Sequence, residues 1–548
     1  MKRTEWLVAL AVAVGVVLCG GAWALSSPVG SSPDDSYHMT SIWCVGASET
    51  SRPCTELGTD PEGNLRVKAP ALVAGGQCYA FDPTASAACQ EPLVGKRGET
   101  SAVDTGDYPG GYYSFMHLFV GKSVVKSVLM MRMANVIIAA LLLTAIGLAS
   151  ASGARRMMAY AVTVTLVPLG WFIIGSVNPS SWAVVGVTGW AFALNAVFTA
   201  PSVRRRYVLA GLALLSALLA VTSRGDAAVY VVITGVAVSV LNWRILLARR
   251  WLAVIPAVAF AVAAYVALSS AQVGSVAGAS AETDRALREV VTNFVLESPA
   301  LISGMFGYSF GLGWLDTAVP SLAAYPVALI LGFVFLNGLG QGRWSKALAM
   351  LGIAIPLVAL PALTYFRARL VVGESVQPRY LLPMVPILVG LALVGRQHGS
   401  SLRLTRVQGA VISAALSVAT GAALYANIRR YVTGTDGAQL ISDYEWWWPW
   451  APSPWVVIIA GAVGFALFSS PVWLLSRPRS ENDADRPIAF EDAVEVPVRH
   501  VPRAGSPAPG EHRSVDQQDP EPDPGPDDRP SSPKDDTIPD DDPEGAHR

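Results

Sequence analysis

The sequence predicts an all-α integral membrane protein with about twelve transmembrane helices. Three observations predict it. Hydrophobic residues make up 52% of the 548-residue chain and charged residues only 15%. The mean hydropathy is positive, at +0.42. Apolar runs near the ~20 residues that cross a bilayer recur from the N-terminus to residue 475. An ordinary soluble domain carries closer to about a quarter charged residues. Nothing in the composition suggests nucleic-acid binding. The chain has no P-loop, no GxGxxG opening a helix after a strand and no HExxH, so a nucleotide-driven pump has no support and no metal site is predicted.

The expected spans run roughly over 6–25, 132–152, 157–176, 182–200, 207–222, 227–243, 251–270, 322–340, 346–366, 380–395, 408–427 and 455–475. The fifth and sixth are short, are joined by Ser223-Arg224-Gly225-Asp226, and could instead form a re-entrant pair. The first also reads as a signal peptide, with Lys2-Arg3 ahead of it and Ala22-Trp23-Ala24 as a cleavage site. Its apolar stretch is long enough to span, and keeping it gives an even helix count, so it is taken as retained.

Basic residues flanking short loops set the orientation. Lys2, Arg3, Arg155, Arg156, Arg204 to Arg206, Arg244, Arg249, Arg250, Arg343, Lys346, Arg396, Arg403, Arg406, Arg477 and Arg479 fall on one side. That side is expected to be the cytoplasm of a bacterial cell, with both termini there. Connections at about 26–131, 271–321, 367–379 and 428–454 then lie outside. Arg367, Arg369, Arg379, Arg429 and Arg430 sit outside against the bias and call for another reason.

The domain reading is a membrane domain over 1–476 and an acidic tail over 477–548. The tail is rich in Pro, Asp, Glu and Ser and is expected to be disordered, because it has too little apolar surface to offset its ordering entropy. Four of the five cysteines, Cys44, Cys54, Cys78 and Cys89, fall in the first outside loop. An even set there suggests two disulfides with three pairings open. Zinc is the alternative, but there is no CxxC pair and His38 is the only histidine close by.

The first loop also carries the candidate chemistry. Pro33-Asp34-Asp35-Ser36-Tyr37-His38 follows the first span directly, so its carboxylates sit at the membrane surface. There Asp34 or Asp35 could serve as a general base, and on a helix Asp34 and His38 would share a face. The two carboxylates could also hold a divalent cation. Equally, Ser32 or Asp34 could simply cap a helix.

Gly106-Asp107-Tyr108-Pro109-Gly110-Gly111-Tyr112-Tyr113 reads as a turn whose tyrosines, Tyr108, Tyr112 and Tyr113, offer ring faces to a sugar or lipid head group. An interfacial re-entry turn would look the same. Gln377-Pro378-Arg379-Tyr380-Leu381-Leu382-Pro383 places Arg379 and Tyr380 at the mouth of the tenth span. There Arg379 could neutralise a phosphate with help from Arg367 or Arg369, or could act as a snorkelling anchor. Residues 283–298 read as an interfacial amphipathic helix, and Gly311-Leu312-Gly313-Trp314-Leu315-Asp316 adds a carboxylate. Glu445-Trp446-Trp447-Trp448-Pro449-Trp450 reads as an aromatic belt, with sugar stacking as the alternative, and Asn178-Pro179-Ser180-Ser181 as a turn without required chemistry.

Taken together in order and spacing, Pro-Asp-Asp-Ser-Tyr-His, Tyr-Pro-Gly-Gly-Tyr-Tyr, Asn-Pro-Ser-Ser, Phe-Gly-Leu-Gly-Trp-Leu-Asp-Thr and Gln-Pro-Arg-Tyr-Leu-Leu-Pro make the chain resemble the DUF2142 family of bacterial membrane proteins over about residues 5–475. That family in turn resembles the GT-C superfamily of membrane glycosyltransferases. The resemblance implies a polyprenyl-phosphate-linked sugar as donor, an envelope glycan or glycolipid as acceptor, and membrane lipid around the helices. It also implies that Asp34 or Asp35 is the base, with Arg379 against the phosphate and His38 orienting the carboxylate. Two features depart from the pattern. The family's acidic pair more usually reads Asp-Glu, and the cysteine-bearing insert at 44–89 is particular to this chain. The rival readings are a transporter or flippase of a lipid-linked glycan and a non-catalytic envelope-assembly protein. Scarce charges deep in the spans argue against a proton-relay transporter.

Overall fold

Helix α1, Arg3–Leu25, is an almost unbroken run of Ala, Val, Leu and Gly. It stops where Ser26 turns its hydroxyl onto the Trp23 carbonyl at 2.8 Å and Pro28 removes a backbone donor. The structure is a computed structural model that describes residues 3–50, 53–270, 281–340, 342–395, 402, 404–437 and 443–475. The acidic tail, residues 271–280 of the second large loop, and Lys2, Arg396, Arg403, Arg477 and Arg479 lie outside the described residues.

After α1 a loop leads into α2, Asp35–Trp43. Beyond it stands a feature the all-α expectation did not contain, a three-stranded antiparallel sheet ordered β1 (Thr55–Thr59), β2 (Leu65–Pro70), β3 (Arg97–Thr100). The signal was present in Leu65-Arg66-Val67-Lys68-Ala69, which alternates and buries Val67 and Ala69. A hydropathy window sized for spans averages such an alternation away. The disulfides pair Cys44 with Cys54 and Cys78 with Cys89, leaving Cys19 as a buried free thiol in α1.

Next come α3 (Gly111–His117) and α4 (Val124–Ala149). Helix α4 begins eight residues ahead of the expected 132, where the Ser123 hydroxyl accepts from the Lys126 backbone N–H. The expected span 157–176 is two helices, α5 (Ser152–Thr165) and α6 (Leu169–Ile174), broken where Pro168 cannot donate to the ladder. Helix α7, Ser180–Phe198, is buried along its whole length. It is followed by α8 (Val203–Val221), α9 (Gly225–Leu241) and α10 (Val254–Ser269).

In the second half stand α11 (Leu287–Glu297), α12 (Ser321–Leu339) and α13 (Trp344–Ala368). Helix α11 buries Val290 and Phe294, as its amphipathic pattern predicts, and leaves Leu287 and Val295 exposed. The short pieces α14 (Pro378–Leu381) and α15 (Val385–Ala392) precede α16 (Arg406–Val432), α17 (Pro454–Phe468) and α18 (Ser470–Leu474).

Among the described residues, eight helices are long and apolar enough to cross a membrane. The other four expected spans are also helical. Gly225–Leu241 and Pro378–Ala392 are shorter, α5 and α6 are interrupted, and α8 opens with Arg204, Arg205 and Arg206. One continuous apolar core joins α1, α4, α7 and α16. Helices α1 and α17 meet backbone to backbone at Gly464, where a Cβ would stand 2.5 Å from the Cys19 nitrogen, the close approach that small residues allow between membrane helices.

Candidate functional site

The loop between α1 and α2 is held by its carbonyls. Every one from Ala24 to Pro33 accepts a hydrogen bond, and all but that of Ser32 do so from a side chain elsewhere in the chain. The Arg132 guanidinium, from inside α4, donates to Ala24 (2.8 Å), Ser27 (2.6 Å) and Pro28 (2.5 Å). Trp448 donates to Leu25, Asn427 to Ser26, and both Tyr79 and Gln90 to Val29. Trp314 donates to Gly30, Tyr431 to Ser31 and Asn178 to Pro33. Buried backbone groups need such partners, and here the partners also fix the path of the chain.

That path ends on Asp34 in the left-handed region, at φ 64 and ψ 6, a conformation Asp tolerates at some cost. Asp34 makes no side-chain cap to α2. Its Oδ2 instead accepts from Arg379 Nη2 at 2.5 Å. The Asp34 side chain is 46% exposed and that of Arg379 3%. Arg379 also donates to the Tyr380 hydroxyl at 3.1 Å and lies 5.0 Å from that ring, while its Nε and Nη1 are buried without a partner among the described residues. Arg224 also lies over the Tyr380 ring, 4.8 Å from its centre, and is bidentate to Asp226. A cavity of about 20 Å³, room for about one water, lies against Arg379 and is walled by Pro33, Phe310 and Leu312.

Asp35 behaves differently. It is fully buried, and its Oδ2 reaches back to accept the Ser32 N–H at 3.1 Å, a bond that ties the loop to the first turn of α2, while the side-chain cap expected of Ser32 or Asp34 is not made. Its Oδ1 has no partner among the described residues. Burial pushes its carboxyl up to about 7, against the pull of the Arg132 charge and the Ser32 hydrogen bonds. His38, also buried, bonds through Nδ1 to the Tyr113 hydroxyl at 2.9 Å, and its Nε2 is unpartnered. Burial, then the nearby Arg224 and Arg379 charges, holds this imidazole well below 6.5, so the ring is neutral at pH 7. Its ring packs edge-on to Tyr108 at 5.2 Å. Tyr37 closes the cluster, donating to Asp104 at 2.9 Å.

The model of the family described as predicted membrane protein (DUF2142) matches residues 17–388. The chain belongs to the DUF2142 family. No curated protein and no solved structure matches it. The matched stretch of this DUF2142 protein contains Asp34, Asp35, Arg132, Asn178 and Arg379 and stops short of Asn427 and Tyr431.

Within the DUF2142 protein, the expected site residues fall into two groups. Asp34, Arg379 and Tyr380 come together, and His38, Tyr108 and Tyr113 pack against one another, while Asp35 is bound to Ser32. His38 spends its hydrogen bond on Tyr113 rather than on a carboxylate. Tyr112 and Tyr113 are buried, Tyr112 within hydrogen-bond reach of Asn135, so only Tyr108 and Tyr380 keep partly open faces. Neither Arg367 nor Arg369 joins the Asp34 group: the Arg369 carbonyl accepts from Thr283 and Arg285, and Arg367 is exposed on the last turn of α13. A cation shared by Asp34 and Asp35 is not what their carboxylates are arranged for, since one faces Arg379 and the other Ser32. Among the described residues no group of three His, Cys, Asp or Glu is placed to hold a metal ion.

The sequence reading missed the residues that grip the loop. Arg132 carried a signal, a charge within an apolar helix. Asn178 was read as a plain turn, and Trp448 as belt although it is 5% exposed. Arg430, noted only for its side of the membrane, is fully buried. It donates to the carbonyls of Tyr79, Asp82 and Ala85 and pairs with Asp316 at 2.9 Å, clamping the Cys78–Cys89 loop.

Proposed function

We propose that this protein is a GT-C-type membrane glycosyltransferase with twelve spans and both termini in the bacterial cytoplasm. It moves a sugar from a polyprenyl-phosphate donor to an envelope glycan or glycolipid at the outer face. The observation that carries the reading is the Asp34–Arg379 pair, in which an accessible carboxylate touches a buried guanidinium that still has unpaired N–H groups. Disulfides of the kind formed in oxidising compartments support the outer-face assignment of the same loop.

The donor phosphate takes over Arg379, whose planar fork suits it, and releases the Asp34 oxygen. Asp34 accepts the proton of the acceptor hydroxyl while that oxygen bonds to the anomeric carbon. The bond from that carbon to the phosphate oxygen breaks, and the electron pair leaves with the phosphate, whose charge Arg379 meets. Asp35 and His38 are positioning residues, holding the turn at Ser32 and the Tyr113 wall.

Transfer from radiolabelled polyprenyl-phosphate sugars in membranes tests this. Asp34→Asn is expected to lower the rate by about 100-fold or more, in the range a general base supplies, and Asp35→Asn by much less. Full transfer by a folded Asp34→Asn protein would sink the mechanism.

A further inference from the structure

At the opposite end of α1 and α4 from Asp34, a groove of about 610 Å³ opens between α1, α4, α5 and α18. Its volume falls in the range of about 300–1,000 Å³ typical of ligand sites. Its wall is apolar, formed by Leu7, Val12, Leu143, Ala159, Val162 and Phe468. Its polar groups include Glu5, Arg155, Arg156 and Arg406.

These four are not equivalent. Arg155 is consumed by the fold, with Nε on the Gly147 carbonyl at 2.7 Å, Nη2 on those of Leu148 and Ser150, and Nη1 paired with Glu5 at 3.2 Å. It satisfies the open carbonyls at the end of α4 and neutralises the one acid present. Arg156 keeps a buried Nε without a partner among the described residues. Arg406 is exposed at the first residue of α16. Among the described residues, two positive charges are thus left over beside an apolar trough formed largely by helices apolar enough to lie in a bilayer.

We propose that this groove holds one anionic glycerophospholipid, its phosphate against Arg156 and Arg406 and its acyl chains along Leu7, Leu143 and Phe468. A free anion would leave the apolar wall uncovered, and a zwitterionic lipid would bring a choline cation to an already cationic rim. The site is independent of the transfer reaction.

Native mass spectrometry of the delipidated full chain tests it. Phosphatidylglycerol is expected to bind about tenfold tighter than phosphatidylcholine, the gain of roughly one charge-assisted contact. Arg156→Gln with Arg406→Gln should bring phosphatidylglycerol down to the phosphatidylcholine level. Gly147→Leu, whose added carbon meets open space in the groove, should weaken both lipids while keeping every charge, and so tests the trough even if the arginine variant fails to fold. Arg204→Gln with Arg205→Gln, at the start of α8, should change nothing. Equal binding of the two lipids by the wild-type protein, equal loss in the Arg204/Arg205 variant, or displacement of the lipid by inorganic phosphate alone would each overturn the proposal.

Discussion

Asp34 and Arg379 stand 345 residues apart in the chain and 2.5 Å apart in space, the first half exposed and the second almost wholly buried. The pair is therefore lopsided. Removing the carboxylate leaves a buried guanidinium short of its partner. We expect Asp34→Asn to cost about 1–3 kcal/mol. A double-mutant cycle with Arg379→Gln, read from melting in detergent, should return a coupling of about 0.5–3 kcal/mol. Strictly additive effects would mean that the two groups do not interact.

Asp35 makes a prediction about pH. Its folded carboxyl titrates near 7 against 3.8 for the free group. Between those values the folded protein keeps a proton that the unfolded chain releases. Stability from this group is therefore full below about pH 4, falls as the pH rises to about 7, and is level beyond, a loss of roughly 4 kcal/mol. His38 contributes the opposite slope, gaining stability as the pH rises towards 6.5, because its folded ring resists protonation. In Asp35→Asn the first slope disappears and the second remains. The melting temperature of the variant relative to the wild type should climb from pH 4 to pH 7, and a constant difference would refute the assignment.

Arg132 holds three buried carbonyls at once. Arg132→Met strands all three and should cost about 3–5 kcal/mol, seen as lost monodisperse yield and a lower melting temperature. Arg132→Lys keeps the charge beside Asp35 but gives up the fork, so it should fall in between. A methionine variant as stable as the wild type would show that the loop keeps its shape without this grip.

The two disulfides should differ in what they protect. Tyr79 and Gln90, each next to a cysteine of the Cys78–Cys89 pair, both donate to Val29. Replacing that pair by serine is expected to cost roughly 2–4 kcal/mol and also to lower sugar transfer. Replacing Cys44 and Cys54, which tie the end of α2 to the sheet, should lower stability with a smaller effect on transfer. Equal losses of transfer in the two variants would break this distinction.

Much of the helical frame was legible because membrane spans announce themselves by length. α1, α12 and α13 need only a run of about 20 apolar residues. The break at Pro168 was written in the sequence, yet an average over a span-sized window dilutes one proline among its neighbours. The candidate site was legible in kind but not in company. Asp34 and Arg379 could be singled out as a surface carboxylate and an arginine against the charge bias, but their contact depends on the whole fold. Trp448 misled for a simpler reason, since an indole with one apolar body and one N–H suits a bilayer interface and a protein socket equally well.

The grip on the loop after α1 has a consequence for reading related chains. A stretch bound through its carbonyls carries little of its own shape in its side chains, because every residue offers the same oxygen. Val29, held through its carbonyl by Tyr79 and Gln90, should be exchangeable for another residue of similar bulk with Asp34 still presented at the same angle, whereas Ser27 and Ser31 also lend their hydroxyls to Asn427 and Arg132. The instructions for that angle are stored at a distance, in Arg132, Asn178, Asn427 and Tyr431. Whether a distant homologue can hold its acid in this posture is therefore best judged from those four positions rather than from the letters around the acid itself.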